Sequence, residues 1–102
     1  MLHVIAIVTA RPGRREEVLA AFRDNVPAVL AEEGCLQYEP VVDADVGRGD
    51  LARLGPDTFM VVERWESAEA LAAHAASAHM AAYGARVRDL IASRAIHVLE
   101  PA

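Results

Sequence analysis

The sequence predicts an α+β fold, and three observations carry that reading: short β-branched apolar runs of strand length, two longer segments with apolar residues at helical spacing, and Gly, Pro and Asp clusters that separate them. The first run, residues 2–10, is apolar almost throughout and is stopped by Arg11-Pro12-Gly13, so it reads as a strand ending in a turn. Behind it, Val18, Phe22, Val26, Val29 and Leu30 recur at intervals of four, four, three and one, which is one face of a helix. Pro27 lies inside that stripe. A mid-helix proline loses a hydrogen bond and clashes with the preceding turn, so a kink or split is expected near residues 24–26. Gly34, after Glu32-Glu33, is the expected helix stop.

Residues 35–43 and 57–66 read as the second and third strands, separated by the Gly-, Asp- and Pro-rich stretch 44–56. A loop of that length is uncommon in a compact domain and points to a functional or partner-reaching segment. Ser67 is the expected N-cap of a second helix, with Glu69 in the first turn, where negative charge is favoured. That helix carries Leu71, Ala75, Ala78 and Ala82 on one stripe and runs to about Ala92, with a kink near Ser77. Residues 95–100 form the last strand. The resulting order, βαββαβ over a single domain of residues 1–102, is the ferredoxin-like arrangement.

A chain of 102 residues supports one modest core. Of its 55 hydrophobic residues 21 are alanine, leaving 34 larger side chains to fill that core. Two helices cover only one face of a four-stranded sheet, so the other face should be polar. It is not: Val4, Ala6 and Val8 alternate with Ile5 and Ile7 in the first strand, and Phe59, Val61 and Trp65 with Met60 and Val62 in the third. Strands apolar on both faces need cover on both, which predicts a homodimer packed sheet against sheet.

The ten basic residues, all arginine, stand against fifteen acids, for a net charge of −5. That balance argues against a general nucleic-acid binder and against an anionic membrane as partner. Cys35 is alone, so no internal disulfide forms, and no Cys/His metal spacing exists. The apolar run at the start is too short to span a bilayer and lacks the basic region of a signal peptide, so a cytoplasmic location is expected. There is no GxGxxG, Walker loop, GxSxG elbow or metal triad. An enzyme built from this chain is therefore expected to work with no organic cofactor and no metal.

Three features suggest a site. His74 and His79 are five apart, which on a straight helix sets them about 140° from each other, too far to share one metal ion. They fall on the two shoulders of the apolar stripe, a position that suits either the edges of a cavity or ordinary half-exposed hydrogen bonding. Glu63 shares a strand face with Phe59, Val61 and Trp65. A carboxyl group there is either paired, with an arginine such as Arg86 or Arg88, or protonated with a raised pKa. Trp65 and Tyr83 offer aromatic walls to a flat ligand, or serve as core or interface.

The runs EEGCLQYEPVVD at 32–43, PDTFMVVERWES at 56–67 and AHAASAHMAAY at 73–83 resemble the antibiotic biosynthesis monooxygenase family, and within it the bacterial quinol monooxygenases. The resemblance covers nearly the whole chain; its specific part is ERWES followed by the two histidines, Met80 and Tyr83. It implies a dimeric α+β barrel with one pocket per subunit between helices and sheet. It also implies cofactor-independent oxidation of a quinol or related aromatic by O₂, paired with a separate quinone reductase. A deprotonated hydroquinone can pass an electron to O₂ directly, so the protein has to bind a flat ring, take a proton and exclude water.

On that resemblance His74 or His79 is the general base. Trp65, Tyr83, Tyr38 and Phe59 shape the ring pocket, and Glu63 or Tyr38 orients the base or a substrate hydroxyl. Haem-degrading members use an Asn on the first strand with a Trp and a His on the second long helix. Here the first strand has no Asn, and His74 and Gly84 stand where that Trp and His would be, which counts against haem degradation. Two other readings remain. One is a relative acting on a small phosphorylated signal molecule, for which Arg11, Arg64 or Arg86 would have to face the pocket. The other is a non-catalytic dimer that binds hydrophobic ligands, for which the pocket would hold no ionisable group.

Overall fold

The computed structural model describes residues 1–102 as four strands and three helices in the order β1 (Leu2–Ala10), α1 (Arg15–Leu30), β2 (Cys35–Val41), β3 (Thr58–Trp65), α2 (Ala68–Ala75), α3 (Ala78–Val87) and β4 (Ile91–Leu99), with a 3-10 turn at Arg88–Leu90. The strands form one antiparallel sheet in the order β2-β3-β1-β4, the ferredoxin-like topology. Alternation along β1 and β3 runs as read from the sequence: Val4, Ala6, Val8, Phe59, Val61 and Trp65 are buried beneath the helices, and Ile5, Ile7, Met60 and Val62 face the other way, half-buried. No helix is long and apolar enough to cross a membrane.

Four expectations need correction. Pro27 does not split α1, which is continuous from Arg15 to Leu30; the proline stands in its last turns, where burial of Val29 and the packing of Val26 against the core offset one lost hydrogen bond. The helix stops at Leu30, capped through Ala31, three residues before Gly34. Gly34 has a different task. Its φ is +84°, and a Cβ there would lie 2.6 Å from that of Ala70, so the turn into β2 packs its backbone against α2.

The second helical segment is not one helix. It breaks at Ala76-Ser77, and this changes which residues face inward: Ala75, Ala78 and Ala82 are exposed, and the covered positions are Ala70, Leu71 and His74 on α2 with Met80, Tyr83 and Val87 on α3. A single stripe cannot be continued across a break that resets the helical phase. Finally, Ile91 and Ala92 belong to β4 rather than to a helix. The free edge of β1 recruits them: Ala10 pairs with Ile91 beyond a bulge, and the Arg11 N–H donates to the Leu90 carbonyl at 2.8 Å.

Residues 44–56 contain no helix or strand, and the loop is closed at its base by Asp43, whose carboxylate accepts the backbone N–H groups of Leu54 and Gly55, each at 2.9 Å. These bonds hold the Asp43 carboxyl below its usual range.

Candidate active site

The core is centred on the β2/β3 half of the inner face. Phe22 of α1 stacks on Tyr38 with ring centroids 5.1 Å apart and meets Phe59 and Tyr83 edge-on at 5.8 and 5.9 Å. Glu63 sits among these apolar groups because strand alternation puts it there, opposite Tyr38 on β2 and Val4 on β1. It is only 6% exposed. Its one protein partner is Trp65, whose Nε1–H donates to Oε1 at 3.0 Å. Burial raises the Glu63 pKa; the indole bond opposes that shift, and the charge of Glu32 adds to it. Of the two alternatives open for Glu63, pairing with Arg86 or Arg88 does not form. Arg86 binds Asp24 at 2.9 Å, and Arg88 has no carboxylate partner.

The break between α2 and α3 builds the rest of the site. Ser77 makes it: its hydroxyl donates to the His74 carbonyl at 2.8 Å, closing α2, and accepts the Met80 N–H at 3.4 Å, opening α3. With the helix broken, the straight-helix separation of about 140° no longer holds. Both histidines turn to one carboxylate, Glu32, just past the end of α1. His74 Nδ1–H donates to it at 3.0 Å, and His79 Nε2 lies 2.5 Å from its other oxygen.

With Nδ1 committed as donor, Nε2 of a neutral His74 carries the lone pair and makes no protein hydrogen bond. Burial pushes the His74 pKa down against the opposing pull of Glu32, which keeps this nitrogen unprotonated at neutral pH. The ring packs on Trp65 at a centroid distance of 4.6 Å and on Tyr38 at 5.4 Å. Burial also raises the hydroxyl pKa of Tyr83 to about 12 and that of Tyr38 further, so both stay protonated.

A cavity of about 730 Å³ opens between the helices and the inner face of β1 and β4, within the size range of small-molecule sites. It is mostly apolar. His74, Glu63, Tyr38 and Tyr83 contribute to its wall, as do Arg88 and Arg94. Trp65 and Phe59, expected as walls of a ring pocket, are fully enclosed and do not line it: Phe59 lies under Phe22, and Trp65 backs Glu63 and His74. His79 does not line it either. It borders a smaller cleft with Asp24, Asn25 and Arg86, and its Nδ1 is buried without a protein partner.

None of Arg11, Arg64 and Arg86 faces the cavity. Arg11 donates to the Asp89 carbonyl, Arg64 to Gln37, and Arg86 to Asp24. The cavity does hold ionisable groups, which disfavours a purely passive ligand carrier. No group of three or more His, Cys, Asp and Glu is arranged to hold a metal ion. Glu32 escaped the sequence reading, which took it only as part of a helix end. The available signal was Ser77 as an N-cap, which frees the histidines from one helical phase but does not say which carboxylate they meet.

The sequence profile of the antibiotic biosynthesis monooxygenase family matches residues 1–86. An Escherichia coli protein described as a "probable quinol monooxygenase", YgiN, is 41% identical over 103 aligned positions, covering 99% of this chain and 98% of its own. A Pseudomonas aeruginosa crystal structure superposes with a TM-score of 0.80 at 30% identity, covering 99% of this chain and 93% of that one. A Nitrosomonas europaea structure described under the same family name reaches 0.84 at 22% identity over 99% and 98% of the two chains, a likeness of fold.

Proposed function

The chain belongs to the antibiotic biosynthesis monooxygenase family, and from that premise we propose that it is a cofactor-independent monooxygenase oxidising a quinol or a closely related aromatic with O₂. The observation that carries the reading is His74: a histidine in the wall of an apolar cavity, its Nδ1 held by Glu32 and its Nε2 left free.

In this reading a hydroquinone hydroxyl gives its proton to His74 Nε2. Glu32 fixes the tautomer and stabilises the imidazolium that forms, and His79 holds the other oxygen of Glu32 in place. The hydroquinone anion passes one electron to O₂ inside the cavity. The semiquinone and superoxide join at a ring carbon, His74 returns its proton, and loss of water from the resulting hydroperoxide leaves a hydroxylated quinone. One atom of O₂ thus enters the product and the other leaves as water. Burial raises the Glu63 pKa, and in its protonated form Glu63 donates a hydrogen bond to the second ring oxygen while Trp65 holds its other oxygen. Tyr38 and Tyr83 border the ring. Trp65 and Phe59 act from behind, as support.

The finer assignments belong to the same proposal. The protein works as a homodimer, because the half-buried Ile5, Ile7, Met60 and Val62 on the outer face of the sheet are covered by nothing in a single chain. It acts in the cytoplasm, paired with a separate quinone reductase that supplies the quinol. A small phosphorylated signal molecule is the less favoured substrate, because the family match and the full-length relative at 41% identity both bear monooxygenase descriptions, and Arg11, Arg64 and Arg86 are engaged outside the cavity.

The test is anaerobically reduced naphthoquinol mixed with the protein in air, with heat-killed protein and a superoxide scavenger as controls. Its reduced spectrum should disappear faster than with heat-killed protein and should go on doing so with the scavenger present, and His74→Ala should slow the loss by roughly 10²-fold, the scale of general-base catalysis. Full activity in His74→Ala would remove the base assignment.

A further inference from the structure

Arginine supplies every basic side chain other than histidine, so cation pairing can be followed through all ten. Arg14, Arg15, Arg48, Arg53 and Arg86 lie within ion-pair distance of a carboxylate. Arg11 is tied to the Asp89 carbonyl and Arg64 to the Gln37 side chain. Three have no hydrogen-bonded oxygen partner, Arg23, Arg88 and Arg94; all three are exposed, and Arg88 and Arg94 also line the cavity. In a chain with fifteen acids and a net charge of −5, two unpaired arginines at one end of one apolar cavity are a local reversal of the protein's overall charge.

No carboxylate on the cavity wall answers them. The one carboxyl group there is Glu63, and it stands at the far end. The sheet register gives the separation. Glu63 shares a row with Val4 and Val98, whereas Arg94 shares a row with Val8 and Phe59, four residues along and two strands across. At about 3.4 Å per residue and 4.8 Å per strand, the two backbone positions are roughly 17 Å apart. Arg94 also acts on its surroundings, since its charge opposes the burial-driven rise in the Tyr83 hydroxyl pKa. One end of the cavity thus suits a ring that loses a proton, and the other offers two guanidinium groups, whose planar donors match carboxylate and phosphate oxygens.

We propose that Arg88 and Arg94 form an anion subsite, and that the substrate is an aromatic quinol carrying an acidic oxygen group, carboxylate or phosphate, on the side away from the ring that His74 deprotonates. The proposal rests on the quinol reading of the cavity. It adds a specificity element in which the acidic group fixes the direction of entry, so that the oxidisable ring, and not the tail, meets His74 and Glu63.

The experiment compares three naphthoquinones with the same short side chain, ending in a carboxylate, a phosphate or a methyl ester, by titration calorimetry on the intact protein. The acids should bind at least about tenfold more tightly than the ester at low salt, and the ratio should shrink toward unity near 0.5 M salt, where screening is short-ranged. The tighter of the two acids identifies the group. Arg94→Gln and Arg88→Gln should each cut the acid-to-ester ratio several-fold, whereas Arg23→Gln, the same change in net charge outside the cavity, should preserve it.

Equal binding of acids and ester by the unmutated protein overturns the subsite, as does a ratio that survives the Arg88→Gln/Arg94→Gln double variant. If these variants misfold, the salt dependence of the unmutated protein decides. Turnover of the reduced ester tests the quinol reading separately. An ester that is oxidised while the acids show no preference overturns the subsite alone; tight acid binding with no oxidation of any of the three supports the subsite and overturns the quinol reading.

Discussion

Two halves of one sheet face meet different fates. On the β2/β3 half, Phe59 and Trp65 have no exposed surface and are sealed beneath α1 and α2. On β4, Ile96 and Val98 point to the same side of the sheet yet remain 55% and 53% exposed, lining the cavity that the helices leave uncovered. The residue types and the alternation are alike. What differs is the helical cover, and it turns an apolar strand face into a core on one side and a binding surface on the other.

Substitution should separate the halves cleanly. Phe59→Ala should cost about 3–5 kcal/mol in denaturant unfolding, because it opens a cavity under Phe22 that its neighbours fill only in part. Ile96→Ala, made on a half-exposed side chain, should cost less than about 1 kcal/mol and appear instead as a raised KM with little change in kcat. Equal losses of stability at the two sites would show that β4 is buried by something else, and the partner subunit would be the first place to look.

Smaller effects come from Glu63 and His74, where the two halves meet. Burial raises the Glu63 pKa, so its stabilising contribution is complete below the unfolded value of about 4.3 and is lost as pH rises through the folded value. Glu63→Gln keeps an acceptor for Trp65 Nε1 and cannot ionise. It should be more stable than the parent by on the order of 1 kcal/mol at pH 8, with the advantage gone below about pH 4. Thermal unfolding across that range measures it.

For His74 the sign is opposite. Its folded pKa is depressed, so the unfolded chain takes the proton first, and stability declines as pH falls from about 6.5 through the folded value. The acid limb of kcat/KM should accordingly lie below about 6.5; a limb above that value would mean that His74 is not the base.

The two strand faces are legible in the sequence because the side-chain period in a strand is two. Val4, Ala6 and Val8 on one side and Ile5 and Ile7 on the other follow from sequence position alone, as does the misfit carboxyl of Glu63. The N-cap at Ser67 is equally plain, and its hydroxyl accepts the Ala70 N–H as expected. The helix that follows is not legible. Alanine-rich sequence is compatible with one long helix, and the end of α2 depends on Ser77 winning a local competition that packing decides. With only a kink expected near Ser77 and the helical phase carried through it, the two histidines look divergent and Glu32 has no visible role.

The order of the four strands, the two apolar faces of the sheet and the presence of a carboxyl and two histidines near its covered side can all be read without the fold. These rest on local period and on composition, which act over a few residues. Packing between elements is what makes His74 and His79 share Glu32, sets Trp65 and Phe59 behind the cavity wall, and brings Arg88 and Arg94 to line the cavity without a carboxylate partner. Those outcomes join residues from different elements, 42 positions apart for Glu32 and His74. Such distances are set by how helices pack on a sheet, which no local pattern encodes.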